Sequence, residues 1–293
     1  MHLIYHNTAS CRQIYTLYLF MTLSTADLQK LSWQARLDIL DMIYKNDGHF
    51  GGPLSCLDIL ISIYFSGIFN FSKNKPSVKD DNFILSAGHL APALYTVLAH
   101  KGYFSKKRLD TFSHFKSSLQ GHASTSVSGV LYSSGCLGQG LSFASGLALA
   151  DLYDRKKRTT ICLTTDGEHQ QGQIWEAIIF AAKYKLKNLI NIVDRNMYQI
   201  DGSTEDIMPL GDLAAKYIRF GWTVKEVDGH DYKKLSKIFE LSKLSNYPTC
   251  IIAHTTFAKG VPFAHYDYKY HDVKNLDDNL YKLAKQEIAK HLN

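Results

Sequence analysis

An α/β fold, built on a doubly wound, mostly parallel sheet flanked by helices, is what this 293-residue sequence predicts. Three observations lead there. Between Thr159 and Ala253, short apolar runs alternate with longer stretches of helical periodicity. Apolar residues make up 45% and charged residues 20%, which suits a chain with a sizeable core. Two polar residues able to ligate a cation, Asp166 and Asn196, each follow such an apolar run. In sheets of this kind, ligands sit beyond the carboxyl ends of the strands.

The elements follow in order. Leu28, Leu31, Leu37 and Leu40 recur near helical spacing, so Ala26 to Ile43 forms an amphipathic helix that Ser24 caps and Asn46-Asp47-Gly48 ends. Ser55 to Phe65 is strongly apolar and forms a buried helix. Phe83 to Ser86 reads as a strand and Ala91 to His100 as a helix. The Ser-, Gly- and Thr-rich stretch from Ser113 to Gly135 reads as a long loop of the kind that carries function. Leu141 to Asp151 is a helix of small residues. After it come strands at Thr159–Thr164, Leu189–Val193, Thr223–Val227 and Thr249–Ala253. Helices at Ile174–Tyr184, Pro209–Phe220 and Tyr232–Leu244 alternate with them.

Composition excludes several classes. The formal charge of +6 suits acidic small molecules, and equally suits simple solubility. Lys106-Lys107-Arg108 and Arg155-Lys156-Lys157-Arg158 carry no interleaved aromatics, so they read as solvated connections and not as a nucleic-acid surface. The five cysteines are odd in number and form no C-x-x-C pair, which argues for a reducing, cytoplasmic setting without a disulfide framework or zinc site. No apolar stretch reaches the roughly 18 residues of a membrane span. Residues 1–20 hold a single basic residue, Arg12, and no clear cleavage site, so they read as an extension of uncertain role. Met21 is the more natural start, and residues 21–293 read as a single domain.

Asp166 and Asn196 stand 30 residues apart, the length of one strand–helix–strand crossover. Two hard oxygen donors at neighbouring strand ends make half of an octahedral Mg²⁺ site, which phosphate and water usually complete. The backbone carbonyl of Tyr198 offers a third protein oxygen, and Gly167 lets the chain turn beside a bulky anion. An isolated Asp-Gly is mostly a turn; the paired spacing is what points to a cation. Ahead of the Leu141 helix, Gly135, Leu137 and Gly138 lie in a segment whose backbone N–H groups face a phosphate or make a tight turn with close packing. His49, His89, His122 and His271 all fall in loops at the predicted binding edge, whereas His100, His114 and His230 do not.

These motifs together resemble the transketolase family of thiamine diphosphate enzymes, from about Leu28 to His271. Gly48-His49-Phe50-Gly51-Gly52 is similar to its Gly-His-Pro-Gly-Gly, and Leu85-Ser86-Ala87-Gly88-His89 to its Leu-Ser-Lys-Gly-His. Ser134 to Gly140 is similar to Thr-Gly-Ser-Leu-Gly-Gln-Gly, and Asp166-Gly167 with Asn196 to the diphosphate signature. Gly121-His122, Lys259-Gly260-Val261 and Tyr270-His271 also fit, as do Glu168, Trp175-Glu176-Ala177 and Ile200-Asp201-Gly202. Phe50, Thr165, Arg195 and Gln171 depart from the pattern; Gln171 replaces a glutamate of an acidic network between cofactor sites. The resemblance implies thiamine diphosphate bound through Mg²⁺, with Ca²⁺ or Mn²⁺ as substitutes. Asp166, Asn196 and Tyr198 then ligate the metal. Gly135, Leu137, Gly138, Gly167, Glu168, Asn196 and His89 contact the cofactor, and His49, His89, His122 and His271 serve catalysis.

In that family a pyrimidine-binding domain follows, carrying the glutamate that activates the cofactor. Its absence here implies an N-terminal subunit of a split transketolase. Such a subunit pairs with a C-terminal one, as an α₂β₂ assembly, to move a two-carbon ketol unit between sugar phosphates. Three alternatives stay open: another sugar phosphate as substrate, a 2-oxoacid dehydrogenase α-type subunit, and a degenerate, non-catalytic homologue.

Overall fold

Residues 23–73, 77 and 79–292 are described by the computed structural model of the chain; the expectations for residues 1–20 and for the start at Met21 lie outside them. Helix α1 (Thr25–Asn46) opens at a capping box. Asp27 donates its N–H to Ser24 Oγ at 3.2 Å, and Ser24 donates its own to Asp27 Oδ2 at 3.3 Å. Its Leu28, Leu31, Ile39, Leu40 and Ile43 turn inward. Strand β1 (Gly48–His49) then leads into α2 (Gly51–Phe65), every residue of which is buried, as an all-round apolar helix must be. It begins four residues before the predicted Ser55 because Gly51-Gly52-Pro53 fits a first turn, where proline loses no hydrogen bond. Gly51 is required there: a side chain on it would overlap the Phe257 ring.

The sheet is laid down by β2 (Asn82–Leu85), β3 (Thr160–Thr165) and β4 (Leu189–Arg195), then by β7 (Thr223–Asp228) and β8 (Thr249–His254). Its order is β2-β3-β4-β8-β7, and every pairing is parallel. The connecting helices are α3 (Ala91–Lys101), α4 (Gly140–Tyr153), α5 (Gly172–Lys183), α6 (Thr204–Ile207), α7 (Leu213–Arg219) and α8 (Tyr232–Lys243). Helix α7 starts later than the predicted Pro209, because Gly211 takes φ 57° and Asp212 caps Ala215 N–H at 2.8 Å. A short hairpin joins β5 (Tyr198–Gln199) to β6 (Gly202–Ser203). Strand β9 (Asp272–Val273) pairs antiparallel with β1, and α9 (Asp278–Ala289) closes the described chain. No helix or strand lies between Thr111 and Gly140, in keeping with the predicted loop.

Two apolar clusters lie on opposite faces of the sheet, and the strands feed them alternately. Ile161, Leu163, Ile190 and Ile192 join the cluster of α1, α2, α3 and α8. Cys162, Leu189 and Val193 join that of α4, α5 and α7. Burial on both faces explains why these strands read as continuous apolar runs.

One polar cluster is buried within the first layer. Arg36 donates to Asp58 Oδ2 at 2.8 Å, and Asp58 also accepts from Tyr232 Oη and pairs with His230 Nδ1, both at 2.6 Å. Burial alone would raise the Asp58 carboxyl, yet Arg36 and His230 hold it well below the usual carboxylate range. No helix among the described residues is long and apolar enough to cross a membrane.

Candidate active site

The parallel strands end at a cavity of about 360 Å³ that brings together all four predicted histidines with Gly135, Leu137, Gly167, Glu168, Asn196 and Tyr198. The histidine rings form a tight group. His49 lies 5.4 Å from His89, 5.6 Å from His122 and 5.5 Å from His271, and His89 lies 5.3 Å from His271, all between ring centroids. The β1–β9 pairing puts His49 opposite Asp272, and Phe50 N–H donates to His271 O at 3.0 Å. His89 follows β2 in a 3₁₀ turn, Gly88–Leu90. His122 is fixed through its carbonyl, which accepts from Tyr95 Oη at 3.0 Å.

Burial lowers the His49 imidazole to about 4, helped by His271 and His122 and opposed by Asp272. Burial and the three neighbouring rings push His89 well below its ordinary value, and burial lowers His271 despite Asp272 and Asp201. These three rings are therefore neutral near pH 7, able to donate at one nitrogen and accept at the other. The buried His271 Nδ1 has no hydrogen-bond partner in the protein. We expect the His49 ring resonances to titrate near pH 4, measured by NMR. In His271→Asn the midpoint rises only partly toward 6.5, because burial and not the neighbour is the larger cause. A wild-type midpoint at 6.5 would contradict this reading.

Beneath the cavity wall, Asp166 is wholly buried. Its Oδ1 accepts from Gly167 N–H at 2.8 Å, and its Oδ2 from Met197 N–H at 2.7 Å and Arg195 Nη1 at 3.3 Å. Burial pushes this carboxyl up to about 7, with Arg195 opposing and Asp194 adding to the rise. The left-handed backbone of Met197, φ 71°, bends the chain over Asp166. Asn196 Oδ1 accepts from Tyr198 N–H at 2.9 Å. Tyr198 starts the β5–β6 hairpin and packs its ring 5.1 Å from Phe257. Arg195 also donates to Glu205 Oε1 at 2.6 Å, so this buried cation is fully engaged.

The Gly-rich segment behaves differently from the expectation of free N–H groups. Gly135 lines the cavity, and a side chain there would meet nothing within 4 Å. Gly138, with φ 86°, is outside the lining; its N–H donates to Glu168 Oε1 at 2.7 Å. Gly140 N–H donates to Ser86 Oγ at 3.1 Å. Glu168 also accepts from Ser86 Oγ and from Thr165 N–H, and burial still pushes it up to about 7. The buried carboxyl thus ties the Gly-rich segment to the end of β3.

Several residues at the site escaped the sequence reading: Asp194 and Ser55 hold the predicted residues, while Gln199 and Phe257 line the cavity. Ser86, which donates to Glu168, and Ile200, which lines the cavity, stood in the matched runs without a role of their own. Asp194 had a signal, since it precedes Asn196 by two residues at the same strand end. Phe257 had none, because an isolated aromatic after a strand reads as core. His100, His114 and His230 bond to Asp38, Asn46 and Asp58, and none of them lines the cavity.

Residues 29–289 match the family described as "Transketolase, thiamine diphosphate binding domain". An apulose-4-phosphate transketolase subunit of Phocaeicola vulgatus is 36% identical over 284 residues, covering 92% of this chain and 100% of that protein. The 6-deoxy-6-sulfo-D-fructose transketolase subunit SqwG of a Clostridium species is 37% identical over 246 residues, 83% of this chain and 89% of its own length. The solved transketolase of Campylobacter jejuni superposes with a TM-score of 0.84 at 30% identity, over 91% of this chain and 43% of that one. The chain thus spans less than half of that longer transketolase and nearly the whole of the two shorter proteins. The predicted α/β fold and the resemblance both hold: this chain belongs to the transketolase family, as its thiamine diphosphate-binding domain.

Proposed function

We propose that the chain is the N-terminal, diphosphate-binding subunit of a split transketolase, active with a second polypeptide that carries the pyrimidine-binding domain. The observation that carries this reading is a histidine-lined cavity at one end of a parallel sheet, with Asn196 in its lining and Asp166 buried between the lining residues Thr165 and Gly167. Relatives matched along nearly their whole length bear the name of transketolase subunits, which favours a split enzyme.

The donor set fits a hard cation. Asp166 and Asn196 offer side-chain oxygens and Tyr198 a backbone carbonyl, a choice that suits Mg²⁺, with Ca²⁺ or Mn²⁺ as substitutes. Gly135, Leu137, Gly167 and His89 line the space for the cofactor, Gly135 leaving its face open. Glu168 lines the same space, and Gly138 lies behind it, tied to it through its N–H. When bound, the thiazolium supplies a carbon nucleophile for carbonyl addition. The protein's part is to bind, orient and move protons. In this reading His49, His89, His122 and His271 donate to sugar oxygens and take protons from hydroxyls. The proposed reaction is transfer of a two-carbon ketol unit between sugar phosphates.

Exposed apolar side chains support a partner. Phe143 on α4, Ile179 and Phe180 on α5, Met208 after α6 and Ile218 on α7 all face outward. Covering them in an α₂β₂ assembly removes that apolar surface from water. The four described cysteines are free, which fits a cytoplasmic setting.

The cation reading carries a pH dependence. In the folded, metal-free chain Asp166 keeps its proton up to about pH 7, above its ordinary 3.8. The folded state therefore holds that proton more tightly than the unfolded state, and metal-free stability falls as pH rises across this window. Glu168, up to about 7 as well, acts in the same direction. A cation needs the carboxylate, so its affinity should rise by up to about tenfold per pH unit below that value and level off above it. Calorimetric titration of Mg²⁺ with thiamine diphosphate between pH 5.5 and 8.5 measures this, with and without a co-expressed C-terminal subunit. Tight binding with the partner, followed by ketol transfer, supports the proposal. Absence of binding under both conditions would leave a degenerate homologue as the better account.

A further inference from the structure

We propose that Asp194 is a positioning residue for the cation site, orienting the Asn196 amide so that Oδ1, and not Nδ2, can face the cation. The inference rests on the reading of Asp166 and Asn196 as cation ligands. Asp194 is wholly buried at the carboxyl end of β4. Its Oδ2 accepts from Ser55 Oγ at 2.5 Å and from Asn196 Nδ2 at 2.8 Å, and its Oδ1 accepts from Thr255 Oγ1 at 2.5 Å. Ser55 Oγ lies 3.2 Å from the same Nδ2.

A hydroxyl has one proton, and Ser55 has two acceptors within reach: Asp194 Oδ2, and the Gly52 carbonyl at 2.8 Å. Either way its lone pairs stay available to Asn196. Both Nδ2 protons of Asn196 thus have acceptors, Asp194 Oδ2 and Ser55 Oγ. Turning the amide over would set an amide oxygen 2.8 Å from a carboxylate oxygen, and an NH₂ group against the Tyr198 N–H that now meets Oδ1. Acceptor would face acceptor, and donor would face donor. The Ser55 and Thr255 hydroxyls donate to its two oxygens, so Asp194 meets the amide as an acceptor and permits a single orientation.

Asp194 is held in turn by α2 through Ser55 and by the end of β8 through Thr255, so the amide takes its direction from the sheet and its packed helix. An amide nitrogen cannot ligate a cation. A turned amide would therefore cost the site a ligand and aim N–H bonds at a positive charge.

Mn²⁺, titrated by electron paramagnetic resonance into the full chain with saturating thiamine diphosphate, tests this without reference to turnover. Asp194→Asn, which can present either end of its own amide, should weaken Mn²⁺ binding by about 10- to 100-fold. Ser55→Ala, which changes no charge, should weaken it by about three- to tenfold. The telling variant is the double exchange Asp194→Asn with Asn196→Asp. A carboxylate is the same either way round, so orientation no longer matters, and affinity should return to within about threefold of the parent. The single variant Asn196→Asp is the charge control, because an added carboxylate raises Mn²⁺ affinity without any change of orientation. Mn²⁺ affinity unchanged in Asp194→Asn, or no recovery in the double variant, overturns the proposal. Should Asp194→Asn fail to fold, an unchanged affinity in Ser55→Ala overturns it. Normal Mn²⁺ binding in an Asp166→Ala control, or none in the parent chain with or without a co-expressed C-terminal subunit, would remove the cation reading itself and this inference with it.

Discussion

Asp166→Ala abolishes cation-dependent binding of thiamine diphosphate, with an expected loss of about 100-fold or more in affinity. The substitution removes the only anionic oxygen donor of the proposed three. It also leaves Arg195 facing the site without the carboxylate it meets at 3.3 Å, so a buried positive charge would stand where a cation must enter. Its second partner, Glu205 at 2.6 Å, keeps that guanidinium in place and makes the repulsion persistent. Asp166→Asn should retain more binding, since an amide oxygen can still accept from Met197 N–H. Calorimetric titration of thiamine diphosphate with and without Mg²⁺ separates the cases. If Asp166→Ala binds within about threefold of the parent, Asp166 is no metal ligand.

The second large effect concerns stability. Arg36→Met should cost about 3–5 kcal/mol, because it strands the buried Asp58 carboxylate. Arg36 is 1% exposed, donates twice to Asp58 at 3.0 and 2.8 Å, and donates from Nε to Lys259 O at 3.0 Å. His230 and Tyr232 remain as partners for Asp58 after the substitution, but the two guanidinium hydrogen bonds are lost. In the parent, the depressed Asp58 carboxyl contributes stability above the unfolded value and loses it as pH falls through the folded one. In Arg36→Met this contribution shrinks, so the deficit should be larger at pH 7 than at pH 4. Denaturant unfolding at the two pH values measures it. The double variant Arg36→Met with Asp58→Asn should recover much of the loss, since no charge is then left buried. Equal stability of Arg36→Met and the parent would show that the pair contributes nothing. Cofactor binding should weaken alongside, because His230 Nε2 accepts from Thr256 N–H at 2.9 Å, next to the cavity residue Phe257.

Much of the molecule was legible in the residues. The four strands predicted in the second half appear within about two residues of their expected ends, because apolar runs between turn residues respond to local sterics and burial. Ser24 caps α1 as expected, a contact within one helical turn. Asp166 and Asn196 fall at adjacent strand ends, as their spacing implied, since β3 and β4 are neighbours in register. The start of α2 was missed because Gly51 and Gly52 read as a loop until Phe257 and Leu90 are seen packed against them.

What the chain's order of residues determined, without coordinates, was therefore the class of fold, the edge of the sheet where the cavity opens, and the identities of several polar side chains there. Tertiary structure alone decided how those side chains are used. The two-residue pairing of β1 with β9 brings His49 and His271 together from opposite ends of the chain, and burial keeps both neutral. Glu168 takes the N–H of Gly138, and Asp194 takes the amide of Asn196. Hydrogen bonds of this kind depend on which elements meet in space. Spacing along a chain can place a donor near a strand end, but only packing settles which acceptor it reaches.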